Sequence, residues 1–100
     1  MITVYKYSFN VSDTVTLRIT GYITALKIGT QHPGVGELIL WAIVDTESED
    51  TESLKLRIVG TGNPFDDYDD ESLHFIDTVM DGIFVWHIFQ IVEEAPDDSE

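Results

Sequence analysis

The feature that most constrains the fold is an apolar run near the carboxyl end, residues 83–92, with the sequence IFVWHIFQIV. Most of its residues are β-branched or aromatic, the types that favour a strand. The run follows Asp81-Gly82, a preferred pair for a type I′ turn, in which both central positions need a positive φ. We therefore predict a hairpin in which residues 73–80 pair antiparallel with this strand. Both of its faces are apolar, which is typical of a central strand covered above and below.

The amino-terminal segments show the alternation of half-buried strands. Residues 2–9 carry aromatic side chains on one face at Tyr5, Tyr7 and Phe9, and residues 14–20 alternate apolar residues with threonine and arginine. A period of two between apolar residues predicts a strand with one buried face. Residues 22–29 follow a glycine and form the third predicted strand, with Leu26 and Ile28 as its core residues.

A second continuous apolar run, residues 37–45 (ELILWAIVD), follows a loop rich in proline and glycine. We place this run beside residues 83–92 in the middle of the structure. The wholly polar loop 46–52 separates it from residues 53–60, which alternate again. The strands on either side of this loop are predicted to form a hairpin.

Seven short strands at this spacing, without a 3.6-residue apolar period, predict an all-β fold. The expected architecture is a single-domain antiparallel sandwich or a small barrel of about seven strands. A chain of 100 residues has the size of one domain. We assign residues 1–92 to that domain, with an acidic surface loop at residues 65–72, and residues 93–100 to an acidic flexible tail.

Composition excludes several classes of protein. Cysteine is absent, which rules out disulfides and thiolate chemistry within the chain. No apolar run approaches the roughly 20 residues of a membrane helix, and the amino terminus has no signal-peptide pattern. We therefore expect a cytoplasmic protein without a membrane partner.

Charge is unevenly distributed along the chain. Residues 1–57 hold five basic and seven acidic side chains, whereas residues 58–100 hold twelve acidic side chains and no Lys or Arg. The formal net charge is −14. The negative electrostatic field of such a protein repels nucleic acid and anionic membranes and attracts basic protein surfaces. The sequence therefore predicts a protein partner and no direct contact with nucleic acid.

Four segments resemble a known family. They are residues 4–7 (VYKY), 40–45 (LWAIVD), 59–64 (VGTGNP) and 84–89 (FVWHIF). In this order and spacing they are similar to segments of small tailed-phage and prophage proteins with a domain of unknown function. The resemblance covers roughly residues 3–92 and implies a phage origin and residence in the host cytoplasm during infection, but no activity. Many members have histidine in the turn where this chain has Asn63, which argues against an imidazole ligand there.

Candidate ligand-binding patterns are weak. The turn at residues 60–64 lacks the following lysine and helix of a phosphate-binding loop, so we interpret it as structural. His32, His74 and His87 are not expected to converge on a metal, and His87 is interpreted as a hydrogen-bonded core or interface histidine. The acidic run 66–71 lacks the spacing and glycine of an EF-hand loop. We predict no metal, no cofactor and no enzymatic activity.

The leading functional hypothesis is an acidic protein that binds and modulates or inhibits a host or defence protein, with carboxylates that imitate nucleic acid. B-DNA presents one negative charge per ~1.7 Å of helix axis, which carboxylates along a β-scaffold can approximate. The predicted binding residues are Asp66, Asp67, Asp69, Asp70, Glu71, Asp77 and Asp81.

Three alternatives remain at the level of sequence. The acidity could serve solubility alone, since net charge disperses small domains. The two strands with apolar residues on both faces, 37–45 and 83–92, could instead form the interface of a homo-oligomer or bind other phage proteins, as in an assembly module. A small-ligand-binding protein is a further alternative, although Lys and Arg are scarce for an anionic ligand.

Overall fold

Seven antiparallel strands in two sheets make up residues 1–92, the part of the chain that this computed structural model describes. The predicted tail, residues 93–100, lies outside it. The strands are β1 (Ile2–Asn10), β2 (Thr14–Thr20), β3 (Tyr22–Gly29), β4 (Glu37–Asp45), β5 (Thr51–Gly60), β6 (Leu73–Asp81) and β7 (Phe84–Ile91).

The strands are divided between a three-stranded sheet, β1-β4-β3, and a four-stranded sheet, β2-β5-β7-β6. The two sheets pack as a sandwich and do not close into a barrel, so the all-β prediction is confirmed and the first of its two architectures is the observed one. Nowhere in residues 1–92 is there a helix with the length and hydrophobicity that crossing a membrane demands.

Inward-facing aliphatic side chains of both sheets form one core. On β4, alternate residues from Leu38 to Val44 are at most 1% exposed, and on β5 the predicted inward residues are at most 3% exposed. On β2, Ile19 is fully buried. The period-two pattern therefore identified the buried face of β2 and β5 correctly, whereas on β4, a continuous apolar run, the structure shows which face is buried.

The predicted hairpin between β4 and β5 is wrong. In the three-stranded sheet, β4 pairs with β1 and β3, whereas β5 pairs with β2 and β7 in the other sheet. Both edges of each strand are thus occupied, and the polar loop between them crosses from one sheet to the other. For the same reason β4 does not lie beside β7, as predicted, but in the opposite layer.

The hairpin of β6 and β7 is confirmed, but its turn is shifted by one residue. Asp81 pairs with Phe84, so the central residues are Gly82 and Ile83. Gly82 has φ 63°, and among residues 1–92 no residue other than glycine has a positive φ. Glycine at the first central position fits a type II′ turn. The predicted type I′ turn would have required a positive φ at Asp81.

Two predictions about burial are also corrected. Leu26 is 54% exposed, because an irregularity in the β3–β4 register between Ala25 and Lys27 turns it outward, whereas Ile28 is buried as predicted. In β7, only Ile88 is fully buried. The strand is central in its sheet, but the opposite sheet covers only one of its faces.

Candidate protein-binding surface

The acidic loop, defined here as residues 65–72, lies across the outer face of the four-stranded sheet. β5 and β6 run parallel on either side of β7, so the chain must return from the end of one to the start of the other. Phe65 and Tyr68 pack on Phe89 of β7, with ring centroids 5.1 and 6.3 Å away. Phe75 of β6 contacts the same ring at 5.7 Å. This aromatic cluster holds the loop on the sheet.

A bidentate ion pair fixes the middle of the loop. Arg57 Nε and Nη2 donate to the two carboxylate oxygens of Asp67 at 2.9 and 3.0 Å. The guanidinium also lies over the ring of Phe65, 5.3 Å from its centroid. The hydrogen bond from Arg57 holds the pKa of the Asp67 carboxyl below its usual value, and the same bond raises the pKa of Arg57. Asp67 is therefore a structural residue whose charge is compensated locally.

The other four carboxylates of the loop are exposed to solvent. Asp69 accepts a hydrogen bond from the amide of Glu71 at 3.0 Å, and its own carbonyl accepts one from Leu73 at 2.8 Å. Asp69 thus shapes the turn that leads into β6 while its carboxylate remains accessible. The exposed carboxylates of the loop that are not paired with Arg57 are thus Asp66, Asp69, Asp70 and Glu71.

A second acidic loop, residues 46–50, lies at the same end of the sandwich. Because β5 and β7 are antiparallel, β5 begins at the end of the sandwich where β7 ends. The acidic loop ends at the same place, since Val92 N, just after β7, donates to Ser72 O at 2.8 Å. Gly21 anchors the second loop, accepting from Asp45 N and donating to Asp50 O. We call this region the acidic end; its exposed carboxylates are Glu47, Glu49, Asp50, Glu52, Asp69, Asp70 and Glu71.

The opposite end of the sandwich carries few acidic groups. Among the described residues, exposed Asp13 and half-buried Glu37 lie there, together with the buried Asp81. The charge asymmetry seen along the sequence is therefore also an asymmetry in space. The fold places two acidic segments, which β5 separates in the sequence, at the same end of the sandwich.

Two of the predicted binding residues lie away from this surface. Asp77 accepts a hydrogen bond from Ile28 N at 3.0 Å and contacts Lys27 Nζ at 3.5 Å, so it links β6 to β3 of the other sheet. Asp81 is fully buried. Its carboxylate accepts from Gly34 N at 2.6 Å and from Trp86 Nε1 at 3.2 Å. These residues connect the sheets and do not belong to an exposed acidic face.

A family model covers residues 1–99 of the chain and describes a domain of unknown function, DUF7352. The chain belongs to this family. Its membership confirms the expectation of a domain of unknown function and transfers no activity. No curated protein and no solved structure matches the chain.

In this DUF7352 domain, His87 is hydrogen-bonded as predicted. Its ring bridges two hydroxyl groups on the outer face of the four-stranded sheet, Thr61 Oγ1 at 2.6 Å and Thr78 Oγ1 at 3.0 Å. Neither threonine was identified from the sequence, because only the pairing of β6 with β7 brings Thr78 beside the histidine. Residues 1–92 contain no group of three or more His, Cys, Asp or Glu residues placed to hold a metal ion.

An open groove of about 570 Å³ lies where β3 meets β6. Val4, Leu26, Trp41 and Met80 give it a mainly apolar lining. Its cationic residue, Lys27, is paired with Asp77. Small-molecule sites combine an apolar lining with a few convergent polar groups. The groove supplies the first of these features, so the acidic surface is the stronger candidate site of the DUF7352 domain.

Proposed function

We propose that this chain is a phage-encoded interaction protein that uses its acidic surface to bind a basic, nucleic-acid-binding protein of the host or of its defences. The observation that carries the proposal is the location of two acidic loops at the same end of the sandwich. Among residues 1–92, seven exposed carboxylates lie at that end, and their field attracts a basic surface and favours rapid association. The protein acts by binding in the host cytoplasm, without catalysis and without direct contact with nucleic acid.

The acidic loop is suited to binding because it is ordered before a partner arrives. The Arg57–Asp67 pair and the rings of Phe65 and Tyr68 fix its path across β7. An ordered loop loses less conformational entropy on association than a flexible one. Carboxylates held at fixed positions can then stand in for the phosphates that the partner normally contacts.

The phage origin is supported by the four sequence segments that resemble phage and prophage proteins. A partner that binds nucleic acid follows from the sign and arrangement of the charge. Such proteins present basic surfaces to phosphates, and an acidic protein domain can compete for them.

The proposal can be tested by capturing a partner with the immobilised protein. The sample is the DNA-binding fraction of a host-cell lysate, loaded at low salt and eluted with rising salt. We expect capture of a basic protein that high salt releases and that free duplex DNA displaces. Two variants of equal net charge then locate the surface: Asp70→Asn with Glu71→Gln at the acidic end, and Asp13→Asn with Glu37→Gln at the other end.

The variant at the acidic end should raise the Kd for the captured protein by about tenfold, and the control variant should change it much less. Equal weakening by both variants would show that total charge alone governs retention, which contradicts a defined surface. Capture that duplex DNA does not displace would overturn the nucleic-acid mimic. An absence of any captured protein would overturn the proposed function as a whole.

A further inference from the structure

β1 is a free edge of the three-stranded sheet. In the described part of the chain it pairs with β4 alone. At its two ends, Met1 O accepts a hydrogen bond from Thr46 N, and Val11 N donates one to Gly36 O. The register between these two bonds is unbroken, so the odd-numbered residues of β1 direct their backbone groups toward β4. Because the direction alternates along an antiparallel strand, the even-numbered residues direct their amides and carbonyls away from the sheet. These residues are Ile2, Val4, Lys6, Ser8 and Asn10.

The other edges of the sandwich differ from β1. β3 and β6 contain register irregularities and contact each other through the Ile28–Asp77 hydrogen bond. The edge of β2 is regular but exposes mainly threonine and arginine. Bulges and polar side chains of this kind protect an edge from pairing with another chain.

β1 combines a regular edge with exposed apolar side chains. Ile2 is 58% exposed, Val4 47% and Tyr5 51%. Tyr5 pairs with the buried Ala42 and therefore faces the interior side of the sheet. Its exposure shows that the four-stranded sheet does not cover β1 at this position. Long, regular edges with exposed apolar residues are typical of strands that pair between chains.

The charge distribution selects an antiparallel arrangement of two like chains. Residues 1–12 contain no carboxylate, although the chain has a net charge of −14. Antiparallel pairing of two β1 strands places the acidic end of each copy beside the carboxylate-poor end of the other. This arrangement keeps the strongest repulsion in the pair at the largest distance.

We propose that a second copy of this chain pairs with β1, edge to edge and antiparallel, about a two-fold axis at Tyr5. A strand edge is complementary to itself in this orientation, so the second copy needs no other recognition chemistry. In this register the two Tyr5 side chains face each other, and Val4 lies opposite Lys6 of the second copy. The register that centres on Lys6 would place two like charges directly opposite each other, which is unfavourable.

The result is a continuous six-stranded sheet with two acidic ends pointing in opposite directions. The pairing goes beyond the proposed function, since it uses a different surface and does not require a basic partner. It would make the domain bivalent for such a partner. If the chain proved not to pair through β1, the proposed binding of a basic partner by the acidic end would be unaffected.

Sedimentation over a range of protein concentrations tests the pairing directly. The wild-type chain should change from the monomer mass to twice that mass as concentration rises. Ser8→Pro removes an amide that points out of β1 without removing a bond to β4, and proline is tolerated at such edge positions. We expect it to raise the dimer Kd by about tenfold or more.

Thr16→Pro is the matched control, because the hydrogen bonds of Asp13 and Gly21 show that odd-numbered residues of β2 bond toward β5. Thr16 therefore also has its amide on a free edge, and its substitution should leave the dimer Kd unchanged. A wild-type chain that stays monomeric at all concentrations would overturn the proposal. Equal effects of the two prolines, or a larger effect of Thr16→Pro, would also overturn it.

Cross-linking keeps the test decisive if a proline variant fails to fold. The chain has no cysteine, so Tyr5→Cys introduces a single thiol at the proposed axis. Opposed residues of antiparallel strands lie within the Cα range of a disulfide. On oxidation, Tyr5→Cys should form a covalent dimer much faster than Leu26→Cys, whose position is similarly exposed on β3. Equal rates for the two variants would contradict pairing at β1.

Discussion

The two long sides of the sandwich are built differently. On one side, which we call the closed side, β3 and β6 are in contact, both have irregular register, and Asp77 accepts a hydrogen bond from the opposite strand. On the other, the open side, β1 and β2 have regular register, and within residues 1–92 each pairs along one edge only. Tyr5 and other apolar groups are exposed there.

This difference shows what is needed to close a sandwich at its side. A regular edge keeps a row of backbone donors and acceptors available for another strand. On the closed side, the irregular register breaks that row, and a carboxylate satisfies one of the exposed amides. The open side lacks both features, which is why we place intermolecular pairing there.

The largest effect on stability is expected from Asp81, at the closed side. Asp81→Ala removes a buried acceptor and leaves Gly34 N–H and Trp86 Nε1–H without their partner. The expected loss in the free energy of unfolding is about 2–3 kcal/mol. Urea denaturation measures it. Asp81→Asn retains one of the two acceptor oxygens and should lose less; an equal loss in both variants would show that the one hydrogen bond an amide can keep contributes nothing to stability.

A smaller effect is expected at Asp77, whose bond to Ile28 N joins the sheets. Asp77→Ala should reduce the free energy of unfolding by about 1–1.5 kcal/mol and speed hydrogen exchange at the Ile28 amide. The matched change on the open side is Val4→Thr, measured at a concentration where the chain is monomeric. It should alter stability by less than about 0.5 kcal/mol. Similar losses for both variants would remove the distinction between the two sides.

The smallest effect is expected from the Arg57–Asp67 pair, which lies on the outer face and belongs to neither side. The hydrogen bond from Arg57 lowers the pKa of Asp67 in the folded protein. Its stabilising contribution is therefore fully present above the ordinary carboxyl pKa of about 3.9 and is lost as the pH falls through the lowered value.

Ring-proton shifts of Phe65 and Tyr68 should follow this titration, because protonation of Asp67 releases the loop that carries both rings. Asp67→Asn should abolish the pH dependence of these shifts. A transition of the same size in Asp67→Asn would assign the effect to other carboxyl groups. Proton shifts of residues on the closed and open sides should change little over the pH range in which Asp67 titrates.

The local elements could be predicted from the sequence in detail. The predicted bounds 14–20, 22–29 and 37–45 coincide with β2, β3 and β4. The inward residues predicted for β2, and Ile28 in β3, were identified because alternation along a strand is a local property of the backbone. The exception, Leu26, lies at a register irregularity, which shifts the alternation and has no clear signal in the sequence.

The candidate surface was predicted only in part. The exposed carboxylates of residues 66–71 were expected, since a run of acidic residues between strands forms a solvated loop. Asp77 and Asp81 have the same side chain but are held by backbone amides 49 and 47 residues away. Sequence composition cannot distinguish such a carboxylate from an exposed one, because its donors come from another part of the chain.

The sequence by itself determined that this chain is an all-β domain with seven strands and a strongly acidic second half. Only the tertiary structure decided which strands are neighbours, which carboxylates are buried, and that the two acidic loops lie at the same end of the sandwich. The physical reason is the separation along the chain of the residues that determine each property. Strand formation follows from alternation and turn residues over a few positions, whereas strand pairing and charge placement depend on segments that only the packed core brings together.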